Sequence, residues 1–260
     1  MAEQIVENFA QRQALAEESA RREERARIEQ EIQSAHYIQK SLLPAESPDV
    51  PDWQIQTCYR PARDVGGDFY DFLTLPDGQL GLVIGDATGI GIPLALIMAT
   101  TCAMIRAAAQ SSTSPGSVLA LVNNQLLKNI PGGTFTTCFY AILGPTSGRL
   151  RYANAGHNLP YLARHDEVHE LRAVGMPQGL MPDQEYEEQE QHIATGDCIL
   201  FHTDGLVEAH SLEGEMFGSA RLQQCIRERA ITEEVIEALY QDMLAFTGRE
   251  REQEDDITLV

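Results

Sequence analysis

The chain has 260 residues, 19 of them basic and 39 acidic, for a formal net charge of -20 at pH 7. That balance excludes the Lys- and Arg-rich surface that a nucleic-acid backbone or an anionic membrane requires, and no apolar run is long enough to span a bilayer. The five cysteines (Cys58, Cys102, Cys138, Cys198 and Cys225) show no CxxC spacing and read as reduced, buried thiols rather than a zinc site or a disulfide framework.

The opening MAEQIVENFAQRQ lacks the basic start and apolar core of a secretory signal, which points to the cytoplasm. From Met1 to about Leu43 there is no Gly or Pro, and Ala, Glu, Gln and Arg dominate, a strongly helical composition. Ile28, Ile32, Ala35, Ile38 and Leu42 form one apolar stripe at three- and four-residue steps. Two readings of it stand: a helix lying on its own domain, or a parallel coiled coil joining two protomers and relaying a signal. Pro44, Pro48 and Pro51 then mark a boundary between a helical linker, 1–43, and a second domain, 44–260.

Short strands take over from Trp53. WQIQTCYRP alternates, and DFYDFLTL, a PDG turn and QLGLVIGD predict a hairpin. IPLALIMATTCAMIRAAAQ is a long apolar helix. SPGSVLALVNNQLLKNI is a second, with Ser114 as N-cap and Pro115 in the first turn. TFTTCFYAILGPTSGRLRYANAG and LPYLARHDEVHELRAVG predict two further hairpins. GDCILFHTDGLVEA is a buried strand ending in a polar turn. Two amphipathic helices follow, near 219–230 and 232–246, before a last strand in DDITLV. Hairpins flanking helix pairs argue for an α+β fold rather than parallel α/β, and two antiparallel sheets with helices outside fit.

Four acidic sites share a local pattern. Asp86 and Asp204 end hydrophobic runs, whereas Asp68 and the pair Asp255–Asp256 begin them. Carboxylates at strand ends converge when strands pair, and hard cations such as Mg²⁺ and Mn²⁺ take oxygen ligands. Each motif alone is weak, since Asp-Gly after a strand is usually a turn. Their order along the chain is specific.

GGDFYDFLTLPDGQLGLVIGDATGIGIPLAL, YANAGHNLP, GMPQGL, LFHTDGLVEA and DDITLV together resemble the PPM (type-2C) protein phosphatases. The similarity is greatest to the bacterial branch containing stage II sporulation protein E and the sigma-factor-regulating phosphatases. QSAHYIQKSLLP resembles the linker helix preceding such domains, so the likeness runs from about Glu31 to Val260. It implies a four-layer α-β-β-α sandwich of two antiparallel sheets, preceded by a long helix, with two Mn²⁺ or Mg²⁺ ions in an edge cleft. Carried over, Asp86 is the bridging ligand, the Ala87 carbonyl binds one metal, and Asp204 and Asp255 hold the other. Asp68 sits near the first metal, and Asp256, an Asn in many relatives, stands behind the ligands. The implied activity is metal-dependent phosphoserine/phosphothreonine protein phosphatase. The implied substrate is a small phosphorylated regulator such as an anti-anti-sigma factor, under an upstream sensor. Relatives usually run on a few residues past Val260, so a fragment of a longer protein is expected.

Arg63 lies five residues before Asp68, where the family often has a phosphate-binding Arg; the alternative is a surface Arg paired with Asp64 or Asp71. Ile90 stands where the bacterial branch commonly has Lys or His. That departure bears on substrate preference and keeps open a second class of function, a pseudophosphatase that binds a partner without turnover. His157, in NAGHN, either donates a proton to the leaving oxygen, positions a loop, or is satisfied within its turn. HDEVH, with His165 and His169, lies in a strand pattern and is no zinc motif.

Overall fold

The computed structural model describes residues 1–89, 91–229, 234–249 and 251–260. Helix α1 (Ala2–Leu42) leads into β1 (Cys58–Arg60), β2 (Asp68–Thr74) and β3 (Leu80–Ala87). Helices α2 (Ile92–Ala109) and α3 (Pro115–Asn129) follow, then β4 (Thr136–Gly144), β5 (Arg149–Ala155), β6 (Tyr161–Arg164), β7 (Glu167–Glu170), β8 (Glu188–His192) and β9 (Cys198–Leu200). The chain ends with α4 (Asp204–Val207), α5 (Gly218–Arg229), α6 (Val235–Thr247) and β10 (Ile257–Leu259).

Two antiparallel sheets result. The first has the order β2-β3-β4-β5-β8. The second joins β7-β6-β9 to β1-β10 through residues 201–203, which continue β9. There Phe201 N–H donates to Val260 C=O at 2.9 Å, and Thr203 N–H donates to Thr258 C=O at 3.1 Å.

Period-two alternation explains the layering. Leu80, Leu82 and Ile84 of β3, with Phe139, Ala141 and Leu143 of β4, fill the space between the sheets together with Leu162 and Phe201. The intervening Val83, Cys138, Tyr140 and Ile142 pack under Met98, Ile105, Leu119 and Val122 of α2 and α3. Across the sandwich, Leu222, Ile226, Leu239 and Met243 of α5 and α6 cover the second sheet. The expected four-layer α-β-β-α sandwich is therefore the fold. Ser114 caps α3 as the sequence predicts, accepting from Ser117 N–H at 3.1 Å.

Three details differ from the sequence reading. Strand β8, EQEQH, was not anticipated: an edge strand whose side chains are exposed or half-buried carries no apolar alternation. By length and composition α2 does pass for a membrane-crossing helix; half of it is buried, with Leu94, Met98, Cys102 and Ile105 in the core. The apolar stripe of α1 is only partly its packing face: Ile32, Ala35 and Leu42 are half-buried. Ile28 is 45% and Ile38 60% exposed, whereas Gln39 and Leu43 are buried. The five cysteines carry free thiols as expected, but only Cys58, Cys102 and Cys138 are buried; Cys198 and Cys225 are half-buried.

Candidate active site

Each expected carboxylate falls at the end of a strand or helix. Asp68 opens β2 and Asp86 is the penultimate residue of β3, and the antiparallel register sets the two opposite one another. Asp204 opens α4. Asp255 and Asp256 lie just before β10. Asp68 is 1% exposed, Asp256 is buried, Asp86 and Asp204 are half-buried, and Asp255 is exposed.

Bare glycine backbone lets these segments close on each other. A Cβ on Gly67 would stand 2.6 Å from both Asp86 Oδ1 and the Ala87 carbonyl oxygen. One on Gly205, next to Asp204, would stand 2.0 Å from the Asp256 carbonyl oxygen. Only a residue without a side chain permits either approach.

The electrostatics record the crowding. Burial, then Asp204, Asp255 and Asp256, push the Asp86 carboxyl up to about 7. Burial and then Asp86 raise Asp68 well above the usual range. Asp204 is raised by burial, then by Asp255 and Glu208. Burial also raises Asp256, against backbone N–H donors that pull it down. Among the described residues, none of these five aspartates is in an ion pair with a Lys, Arg or His. Among the same residues, no three His, Cys, Asp or Glu side chains stand close enough to chelate one ion between them.

Asp256 organises the loop in front of Asp68. Its Oδ1 accepts from Ala62 N–H at 2.8 Å, and its Oδ2 accepts from Gly67 N–H at 2.6 Å. From the other side, Gln39 of α1 donates to Gly66 C=O at 2.6 Å and accepts from Gly66 N–H at 3.0 Å. His36, also on α1, bonds the Asp64 carbonyl.

Arg63 is exposed on this loop. Of its two alternative surface partners, Asp71 is taken by Arg106 at 2.6 Å. His157 is buried, with Nδ1 2.8 Å from Thr137 Oγ1 and its backbone tied to the Asn154 amide. Burial and then His202 lower its pKa to about 3. Burial disfavours the charged imidazolium, and the ring's Nε2 is buried without a hydrogen-bond partner among the described residues, so the turn satisfies the backbone and Nδ1 but not the whole side chain. Ile90 lies outside the described residues.

Sequence reasoning missed three contributors. Thr203 and Thr258 donate their hydroxyls to Asp68, and Gln39 holds Gly66. The threonines sit inside the quoted motifs, one just before Asp204 and the other two residues after Asp256. Gln39 had only its polar character on a helix to mark it.

The chain is similar to several known proteins. It is 27% identical to Protein IcfG of Synechocystis over 259 residues, covering 88% of this chain and 41% of that one. It is 28% identical to the phosphoserine phosphatase RsbU of Bacillus subtilis over 237 residues, covering 90% of this chain and 70% of that one. It thus spans under half of the first relative's length. The SiaA-PP2C domain of Pseudomonas aeruginosa superposes with a TM-score of 0.80 at 26% identity, covering 90% of this chain and 96% of that one. Residues 76–260 match the family model described as Stage II sporulation protein E (SpoIIE). On that match, the chain belongs to the SpoIIE family of PP2C-type phosphatases.

Proposed function

We propose that the chain is a metal-dependent protein serine/threonine phosphatase acting on a phosphorylated regulatory protein. One observation carries the reading: aspartates from both sheets gather at one edge of the sandwich, partly buried, with no cationic side chain paired to them among the described residues. Buried carboxylates in such a group need positive charge from elsewhere. An all-oxygen donor set suits Mg²⁺ or Mn²⁺ over softer metals. Such ions keep several waters, so a pair of them needs few protein oxygens each, which accommodates carboxylates not closed into a three-ligand chelate.

In this reading Asp68, Asp86, Asp204, Asp255 and the Ala87 carbonyl would hold the ions, with Asp86, between Asp68 and the Asp204–Asp255 side, the residue that would be shared. When bound, the ions supply acidified water and neutralise charge on the phosphoryl oxygens. The protein's own share is positional. Asp256 and Gln39 fix the backbone of the loop that carries Arg63 and leads into Asp68. Arg63, exposed beside the cleft, presents a fork that grips two phosphate oxygens. No cysteine or serine nucleophile is needed, so no phosphoenzyme forms.

RsbU is named a phosphoserine phosphatase. The substrate we infer is likewise a small phosphoserine or phosphothreonine regulator, such as an anti-anti-sigma factor, in the cytoplasm. A linker at residues 1–43, two copies paired through α1, and control by an upstream sensor belong to the same proposal. The exposed stretch of α1 from Glu17 to Glu31, with Ile28 among it, supports that pairing.

The test is phosphate release from a phosphoserine peptide with Mn²⁺, with Mg²⁺ and with EDTA. Turnover that needs a divalent cation is expected. A rate indifferent to chelation would sink the reading, and partner capture without turnover would favour the pseudophosphatase.

A further inference from the structure

Thr203 and Thr258 are both 0% exposed and adjoin each other where residues 201–203 pair with β10 in the second sheet. Their hydroxyls converge on one atom of the first sheet: Thr203 Oγ1 donates to Asp68 Oδ2 at 2.7 Å, and Thr258 Oγ1 donates to the same oxygen at 2.6 Å. Thr203 Oγ1 also accepts from Thr258 N–H at 3.0 Å, which uses one of its two lone pairs and leaves its single proton for the carboxylate.

We propose that Thr203 and Thr258 are positioning residues that hold Asp68 through Oδ2 and leave its other oxygen to serve the divalent cation. This rests on the phosphatase reading above. Packing alone does not account for the arrangement. Leu82, Ile84, Phe139 and Phe201 close the sheets apolarly, and a buried carboxylate is a costly way to join two layers. Two donors on one oxygen fix the carboxyl group's rotation as well as its place, as partners behind metal ligands commonly do. The tie also spans the sandwich, so the Asp68 side of the site cannot drift from the segments carrying Asp204 and Asp255.

Thr258→Val is the sharper test, because it keeps the β-branched shape and removes only the hydroxyl; Thr203→Val would also strip an acceptor from Thr258 N–H. Thr258→Ser restores the hydroxyl, and Thr258→Ala serves if valine folds poorly. The readouts are calorimetric titration of Mn²⁺ into the metal-stripped full chain, and kcat at saturating Mn²⁺. We expect Thr258→Val to weaken Mn²⁺ binding about 10- to 100-fold, with kcat at saturation within about threefold of wild type, and Thr258→Ser to bind as wild type. Unchanged Mn²⁺ affinity in Thr258→Val overturns the proposal. So does a loss shared equally by Thr258→Ser, which would be damage to packing. If the wild-type chain itself takes up no Mn²⁺, it is the phosphatase reading that has failed, and this inference falls with it.

Discussion

Asp68 lies directly opposite Asp86 across the β2–β3 ladder, two carboxylates in one register pair at the end of a sheet. Like charges placed opposite in a sheet are ordinarily destabilising. Here burial sharpens the conflict, and both groups are raised above the ordinary range for aspartate.

Asp86→Asn should therefore separate activity from stability. Phosphatase turnover should drop by roughly three orders of magnitude or more, the scale seen when one member of a catalytic unit is removed. The metal-free protein should become more stable by about 2 kcal/mol at neutral pH, because one charge leaves the acidic group. Denaturant melts in EDTA, read beside the activity assay, check both. A stable, fully active variant would remove Asp86 from the site.

The metal-free protein should also lose stability as pH rises. Asp86 titrates near 7 in the fold against an ordinary value of 3.8, and Asp68, Asp204 and Asp256 shift the same way. Between those values the folded chain holds more protons than the unfolded one, so the stabilisation present below the lower value disappears as pH climbs through the upper. In EDTA the thermal midpoint should fall between about pH 4 and about pH 7, and saturating Mn²⁺ should flatten that slope. A midpoint rising over the same window would contradict the burial of these groups.

Gly67→Ala brings a methyl group against the Ala87 carbonyl and Asp86 Oδ1 together. The backbone oxygen cannot swing away as a side chain can, so the loop or the end of β3 must shift. We expect a stability loss of about 1–3 kcal/mol and a larger proportional loss of turnover, with Mn²⁺ dependence displaced to higher concentration. Chemical denaturation and a metal titration of activity measure the two. Wild-type values for both would mean the loop is loosely held.

Gln39→Ala tests the grip of α1 on the site. It removes two hydrogen bonds to Gly66 and leaves that residue's buried N–H and C=O short of partners. A cost of about 1–3 kcal/mol is expected, together with faster amide exchange in residues 62–68. Unaltered exchange there would show that Asp256 alone secures the loop.

The sequence by itself determined a good deal. Hairpins β2–β3, β4–β5 and β6–β7, the helix pair α2–α3 and the cap at Ser114 all follow from periodicity and turn chemistry within short windows. The quoted motifs also sufficed to identify the fold. Only the tertiary structure could assign β8, because a solvent-facing edge strand leaves no apolar rhythm. It alone put Gln39 on the inner face of α1 and left Ile28 and Ile38 of the apolar stripe outside. It alone joined Thr203 and Thr258 to Asp68, across 135 and 190 residues of chain. Local patterns record what a residue needs from its immediate neighbours. Which oxygen meets which hydroxyl is settled only when two sheets, each stable in its own periodicity, close on a shared core.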